Sequence, residues 1–153
     1  RLMPDAVFTD LRGNVDTRLN KLFAGQYDGI ILAAAGIQRL GLDTDARFDF
    51  RIFSADEFVP APCQGIIAIQ SRANEYSEIL SAIDDPETHI CFQTERRILE
   101  LEDSGCTSPL GAYAVIDNGT LRVVADRTGK RRGIAVGDVS EWETLAHEAW
   151  SGA

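Results

Sequence analysis

Short apolar runs alternate with helix-period segments through the first forty residues, and this order most constrains what the chain can fold into. Residues 6–11 (Ala-Val-Phe-Thr-Asp-Leu) read as a strand. Arg12-Gly13-Asn14 breaks it, and Asn14 suits a helix N-cap. Val15, Leu19, Leu22 and Phe23 recur at helical spacing, and Gly25 is placed to end that helix. Residues 28–34 read as a buried strand, followed by a short helix that stops near Gly41. A strand–helix–strand unit of this length predicts a parallel pair with a right-handed crossover, an α/β arrangement.

The rest of the chain reads differently. Residues 43–65 hold Pro60, Pro62 and Gly65 with little periodicity, and 66–70 form another strand candidate. Tyr76, Ile79, Leu80 and Ile83 share a helical face. Asp85-Pro86-Glu87 supplies an N-cap, a proline at the first helical position and an acidic first turn; the helix runs towards Gly105. Strands are predicted over 111–116, 120–126 and 131–137, with an Asp-Asn-Gly turn at 117–119 and a second turn at 127–130. Ser140 and Glu143 read as a capping box before a last amphipathic helix. Helix–helix–β-β-β–helix predicts a small α+β domain with a three-stranded antiparallel sheet.

Composition removes several function classes. The net charge is -9, so a phosphate backbone is repelled and nucleic-acid binding is not expected. No run of about 18 apolar residues exists, so no membrane span is expected. Cys63, Cys91 and Cys106 are odd in number and widely spaced, which suits neither a disulfide framework nor a zinc site. With no signal pattern at the N-terminus, a cytoplasmic setting is expected. A start at Arg1 reads as a fragment or a truncated form.

Four residues are candidates for chemistry. Arg12 lies at the carboxyl end of a predicted strand beside a helix N-terminus, Arg18 about one turn into that helix, and Arg39 after the next strand. Arginine forks match carboxylates, and anions gather at such strand and helix ends, so the three could form a polycarboxylate site. On spacing alone, three solvated surface arginines are the simpler reading. Cys106 sits on a small-residue turn, Asp103-Ser104-Gly105-Cys106-Thr107-Ser108, where a thiol is accessible; alone, it reads more simply as an inert cysteine. Cys63 and Cys91 read as structural. His89 and His147 have no visible catalytic partner, and no general acid stands out among the carboxylates.

Several blocks, taken together, carry a resemblance. They are Leu11-Arg12-Gly13-Asn14-Val15-Asp16-Thr17-Arg18-Leu19, Tyr27 through Gly36, Arg39-Leu40-Gly41-Leu42, Pro60-Ala61-Pro62-Cys63-Gln64-Gly65, Thr94-Glu95-Arg96, Gly105-Cys106 and Pro109-Leu110-Gly111-Ala112-Tyr113. Over nearly the whole chain they resemble the hydroxymethylbilane synthase (porphobilinogen deaminase) family, in its C-terminal half. The resemblance implies three stretches: 1–58 as a partial domain 2 of binding-protein-like α/β type, 59–72 as a connector and strand normally belonging to domain 1, and 73–153 as domain 3. It implies a transferase that joins four porphobilinogen molecules into 1-hydroxymethylbilane with release of ammonia, in tetrapyrrole (heme) biosynthesis. It implies a dipyrromethane cofactor held to Cys106 by a thioether. Arg12, Arg18 and Arg39 match arginines that hold cofactor and substrate carboxylates. The implied partners are porphobilinogen and the growing oligopyrrole chain.

Two positions depart from the family pattern. Glu102-Asp103-Ser104-Gly105 stands where the family has Leu-Glu-Gly-Gly, and Cys63 replaces a common glycine. The family's catalytic aspartate belongs to an N-terminal half with no counterpart here, so no catalytic residue is identifiable and the chain alone is expected to be inactive. Half of domain 2 and one strand of domain 1 would leave sheet edges and apolar faces uncovered, which predicts pairing with that half, a swapped or self-associated oligomer, or partial disorder near 43–72. The alternative is a non-catalytic tetrapyrrole-binding or interaction module reusing half of the fold.

Overall fold

The computed structural model describes residues 3–102, 109–127 and 131–153. It divides into two compact units, Arg1–Phe53 and Ser54–Ala153.

The first unit contains α1 (Val15–Phe23) and α2 (Ala34–Arg39). Asn14 caps α1, its side chain accepting the Thr17 N–H at 2.8 Å. The helix closes with paired bonds at its end: Gly25 N–H donates to the Leu22 carbonyl and Gln26 N–H to that of Lys21. Gly41 and Leu42 close α2 in the same way, donating to Gln38 and Ile37. Leu19 and Ile37 are the buried residues of the two helices.

The parallel strand pair expected in this stretch is not formed. Residues 6–11 and 28–33 form no strand, and the described residues of the unit contain no strand ladder. Val7 is 90% exposed and Phe8 74%. An apolar run signals burial against a neighbour, and backbone groups become a strand only when a second segment supplies their partners. These residues do not supply one. The strand expected at 66–70 is likewise unpaired, with Ile67 81% exposed.

The second unit holds α3 (Ser77–Ile83), α4 (Pro86–Leu101), β1 (Leu110–Asp117), β2 (Thr120–Arg127), β3 (Gly133–Asp138) and α5 (Trp142–Ser151). The strands form an antiparallel sheet in the order β1-β2-β3, the α+β arrangement expected. Asp117 pairs with Thr120 across Asn118-Gly119, both at positive φ, a two-residue turn whose twist suits a hairpin. Asp85 caps α4 by accepting from the Glu87 and Thr88 N–H groups, with Pro86 at the first helical position.

Strand periodicity sorts the sheet into two faces. Ala112, Ala114, Leu121, Val123, Ala125 and Ala135 are buried on one face with Ile98 of α4 and Leu145, Ala146 and Ala149 of α5. Small residues on that face let the helices approach. A Cβ on Gly133 would sit only 1.8 Å from the Ala149 carbonyl oxygen, so glycine is required there by contact. The other face carries Val124, fully buried, near a 54–59 segment tied down by an Arg122–Asp56 ion pair of 2.6 Å and by Arg132 donating to the Asp56 carbonyl. The expected Ser140–Glu143 capping box is absent. Asp138 instead accepts from the Ser140 N–H at 2.9 Å, opening a short 3-10 turn that leads into α5. An aspartate two residues upstream reaches that amide first.

Candidate functional site

Arg12 lies in the turn before α1, Arg18 in its second turn, and Arg39 is the last residue of α2. The turn is held by side chains that follow it. Tyr27 Oη donates to the Asp10 carbonyl at 3.1 Å, Lys21 Nζ to that of Arg12 at 3.0 Å, and Arg18 Nε to that of Gly13 at 2.7 Å. Gly13 adopts φ +125°, and a Cβ there would lie 2.8 Å from Thr17 Cγ2. Only glycine lets the chain turn this closely onto α1. Because Arg18 is anchored through Nε, its two Nη groups remain for an anion. No described carboxylate forms an ion pair with Arg12, Arg18 or Arg39. Arg12 precedes the α1 N-terminus and Arg18 lies within that helix, whereas Arg39 stands at the C-terminal end of α2. Sequence reasoning singled out the arginines but not Lys21 and Tyr27. Both donate to backbone carbonyls, which no residue pattern marks.

Cys106 lies outside the described residues, within 103–108. Its flanks are described. Glu102 at the end of α4 forms a 2.8 Å ion pair with Arg127 and accepts the Trp150 indole N–H at 3.2 Å. Leu110, opening β1, faces Arg127 in the β1–β2 register. The Arg127 guanidinium also lies 4.9 Å from the Trp150 ring centre. Both flanks therefore meet at one arginine.

Glu95, part of the Thr94-Glu95-Arg96 block, is 5% exposed. Its Oε2 accepts the Cys63 N–H at 2.5 Å and its Oε1 the Ala114 N–H at 2.8 Å. Burial pushes its carboxyl up, opposed by these two hydrogen bonds. The Pro60 carbonyl accepts the Ala112 N–H at 2.9 Å beside them. The 60–63 segment is thus clamped along β1. Cys63 has φ +62°, a left-handed conformation that favours glycine. Burial and then the Glu95 charge push the Cys63 and Cys91 thiols up, the reverse of what a nucleophile needs. Glu95 was not singled out from sequence because a glutamate within a helix normally faces water.

No described helix is long and apolar enough to cross a membrane. Among the described residues, no three His, Cys, Asp or Glu side chains converge as a metal site.

Residues 1–79, just over half of the chain, match the family model described as "Porphobilinogen deaminase, dipyromethane cofactor binding domain". A porphobilinogen deaminase of Corynebacterium diphtheriae is 39% identical over 126 residues, covering 81% of this chain and 42% of that protein. One from a Roseiflexus species is 40% identical over 146 residues, covering 92% of this chain and 47% of that protein. A probable porphobilinogen deaminase of Methanosarcina barkeri is 43% identical over 129 residues, covering 82% and 40% respectively. The chain thus spans less than half the length of these relatives. With its cofactor-domain match and its aligned relatives, the chain belongs to the porphobilinogen deaminase family.

Proposed function

We propose that this chain supplies the carboxylate cradle and the cofactor anchor of a hydroxymethylbilane synthase, the transferase that joins four porphobilinogens and releases ammonia. The carrying observation is the turn at Arg12-Gly13-Asn14. It is held by Arg18, Lys21 and Tyr27, and among the described residues no carboxylate pairs with Arg12, Arg18 or Arg39. In this reading the three arginines bind the acetate and propionate groups of the cofactor and of incoming porphobilinogen. The α1 N-terminus adds its amide dipoles to the same anion field. Cys106 holds the dipyrromethane through a thioether; when bound, that group primes the oligopyrrole chain. Arg127 and Glu102 fix the flanks from which Cys106 is presented.

The division of labour follows the three stretches: 1–58 for anion binding, 59–72 as connector, and 73–153 for cofactor presentation. The break between compact units at Phe53–Ser54 supports a boundary near the first of these limits. Expelling ammonia needs an acid–base group, and no residue of this chain is assigned that role. The 153-residue chain alone is therefore expected not to turn over. A cytoplasmic setting goes with this reading.

The test is a colorimetric porphobilinogen assay combined with intact mass. A longer polypeptide containing this sequence should consume porphobilinogen and carry a dipyrromethane adduct that Cys106→Ser removes. An active protein with an unmodified Cys106 overturns the anchor assignment. Tetrapyrrole binding without deaminase activity favours the non-catalytic module instead.

A further inference from the structure

Gly13 is the weak point of the turn that carries Arg12. It sits at φ +125° with no Cβ to restrict it, so the peptides on either side of it rotate at little steric cost. Each of those two peptides is nevertheless held from α1. Arg18 Nε donates to the Gly13 carbonyl at 2.7 Å and fixes the peptide that enters the helix. Lys21 Nζ donates to the Arg12 carbonyl at 3.0 Å and fixes the peptide between Arg12 and Gly13. A peptide unit is planar from one Cα to the next. Holding the Arg12 carbonyl therefore also fixes the Arg12 Cα, from which the guanidinium is carried.

The two contacts are not equivalent. Arg18 keeps its Nη groups and is itself a candidate carboxylate ligand. Lys21 is half-buried, with a methylene stem that can pack while its head stays polar. Among the described residues its hydrogen-bond partner is the Arg12 carbonyl, and no carboxylate pairs with it. We propose that Lys21 is a positioning residue of the carboxylate cradle: it pins the Arg12–Gly13 peptide to α1, holds Arg12 ready for a carboxylate of the pyrrole substrate, and acts through Arg12. This rests on the reading of Arg12, Arg18 and Arg39 as the porphobilinogen cradle. Without the pin, the Arg12 peptide must be ordered each time the anion binds, and that ordering subtracts from affinity. The effect belongs to binding, because Lys21 donates to the backbone and not to the reacting atoms.

Steady-state kinetics with porphobilinogen, on a longer polypeptide containing this sequence, tests the role. Lys21→Met keeps the stem and removes the donor. KM should rise roughly fivefold, the loss of about one backbone hydrogen bond, and by more than kcat falls. Lys21→Arg keeps a charged donor and should bring KM back towards that of the parent. In an Arg12→Ala background the effect of Lys21→Met on KM should shrink below about twofold, because the residue it positions is gone. Additive effects overturn the proposal and make Lys21 a ligand in its own right. An unchanged KM in the Lys21→Met variant also overturns it. A second readout needs no turnover. In the 153-residue chain the Gly13 amide nitrogen resonance should move on Lys21→Met, while that of Ile37, buried in α2, stays. A Gly13 resonance that does not move overturns the pin. A longer polypeptide that consumes no porphobilinogen overturns the reading on which the role rests, and the Gly13 resonance still decides the pin.

Discussion

Replacing Glu95 by alanine removes the only acceptor of two backbone donors at once. The Cys63 N–H and the Ala114 N–H lie 2.5 and 2.8 Å from its two oxygens, and the residue is 5% exposed. A buried N–H left without an acceptor costs about 1–3 kcal/mol. Two such losses are offset in part by no longer burying a carboxylate, so the expected destabilisation is about 2–4 kcal/mol. Glu95→Gln keeps one acceptor oxygen and turns an NH2 group towards the other donor, so about 1–2 kcal/mol is expected. Urea unfolding followed by circular dichroism gives the order: parent, Gln, Ala. Amide exchange gives the location, because Cys63 and Ala114 should speed up more than neighbouring β1 amides. An alanine variant within about 0.5 kcal/mol of the parent, with both amides still protected, would refute the clamp.

Three further outcomes follow from the same geometry. Burial raises the Glu95 carboxyl above its ordinary 4.5, so the folded chain holds that proton more tightly than the unfolded one. Its contribution is fully present below 4.5 and is lost as pH rises through the raised value; the parent's stability relative to Glu95→Gln should fall across that window, and a constant difference counts against it. Cys63→Gly should raise stability by about 0.5–1 kcal/mol in thermal unfolding, since glycine accepts φ +62° without the strain that a side chain meets; a loss would mean that the thiol's packing outweighs the backbone. Gly13→Ala should cost about 1–3 kcal/mol and speed exchange at the Thr17 amide that caps α1, because the new Cβ meets Thr17 Cγ2 at 2.8 Å; unchanged exchange there would show that the turn yields cheaply.

What could be read from the chain itself was local. Asn14, Asp85-Pro86, Gly25 and Gly41 mark helix ends by chemistry confined to a few residues, and the structure puts ends at each of them. The Asp117-Asn118-Gly119 turn between two strand-like runs gave the hairpin for the same reason. The strands at 6–11, 28–34 and 66–70 could not be settled this way. Their apolar runs record a need for neighbours, and pairing depends on residues far away in sequence. The capping box failed on a finer point. Ser140 and Glu143 have the right spacing, but Asp138 competes for the same amide and wins by being already oriented at the end of β3.

The candidate site divides along the same line. Arg12, Arg18 and Arg39 could be nominated from the sequence because guanidinium groups near strand and helix ends have a definite chemistry. Residues that position rather than bind were invisible, because their partners are backbone atoms. Lys21, Tyr27 and Arg18 Nε all spend their donors on carbonyls of residues 10–13, and Glu95 accepts only amides. Backbone groups are the same at every residue, so no pattern in the sequence announces such bonds. This explains how Cys63 can occupy a left-handed position that favours glycine. The amide of that residue, not its side chain, meets Glu95, and a charge-assisted bond of 2.5 Å offsets strain of about 1–3 kcal/mol. The side chain at 63 is tolerated because Glu95 holds the backbone in place, so the two positions should be coupled. Cys63→Gly should recover less stability in the Glu95→Ala background, where the freed segment can leave the left-handed conformation on its own.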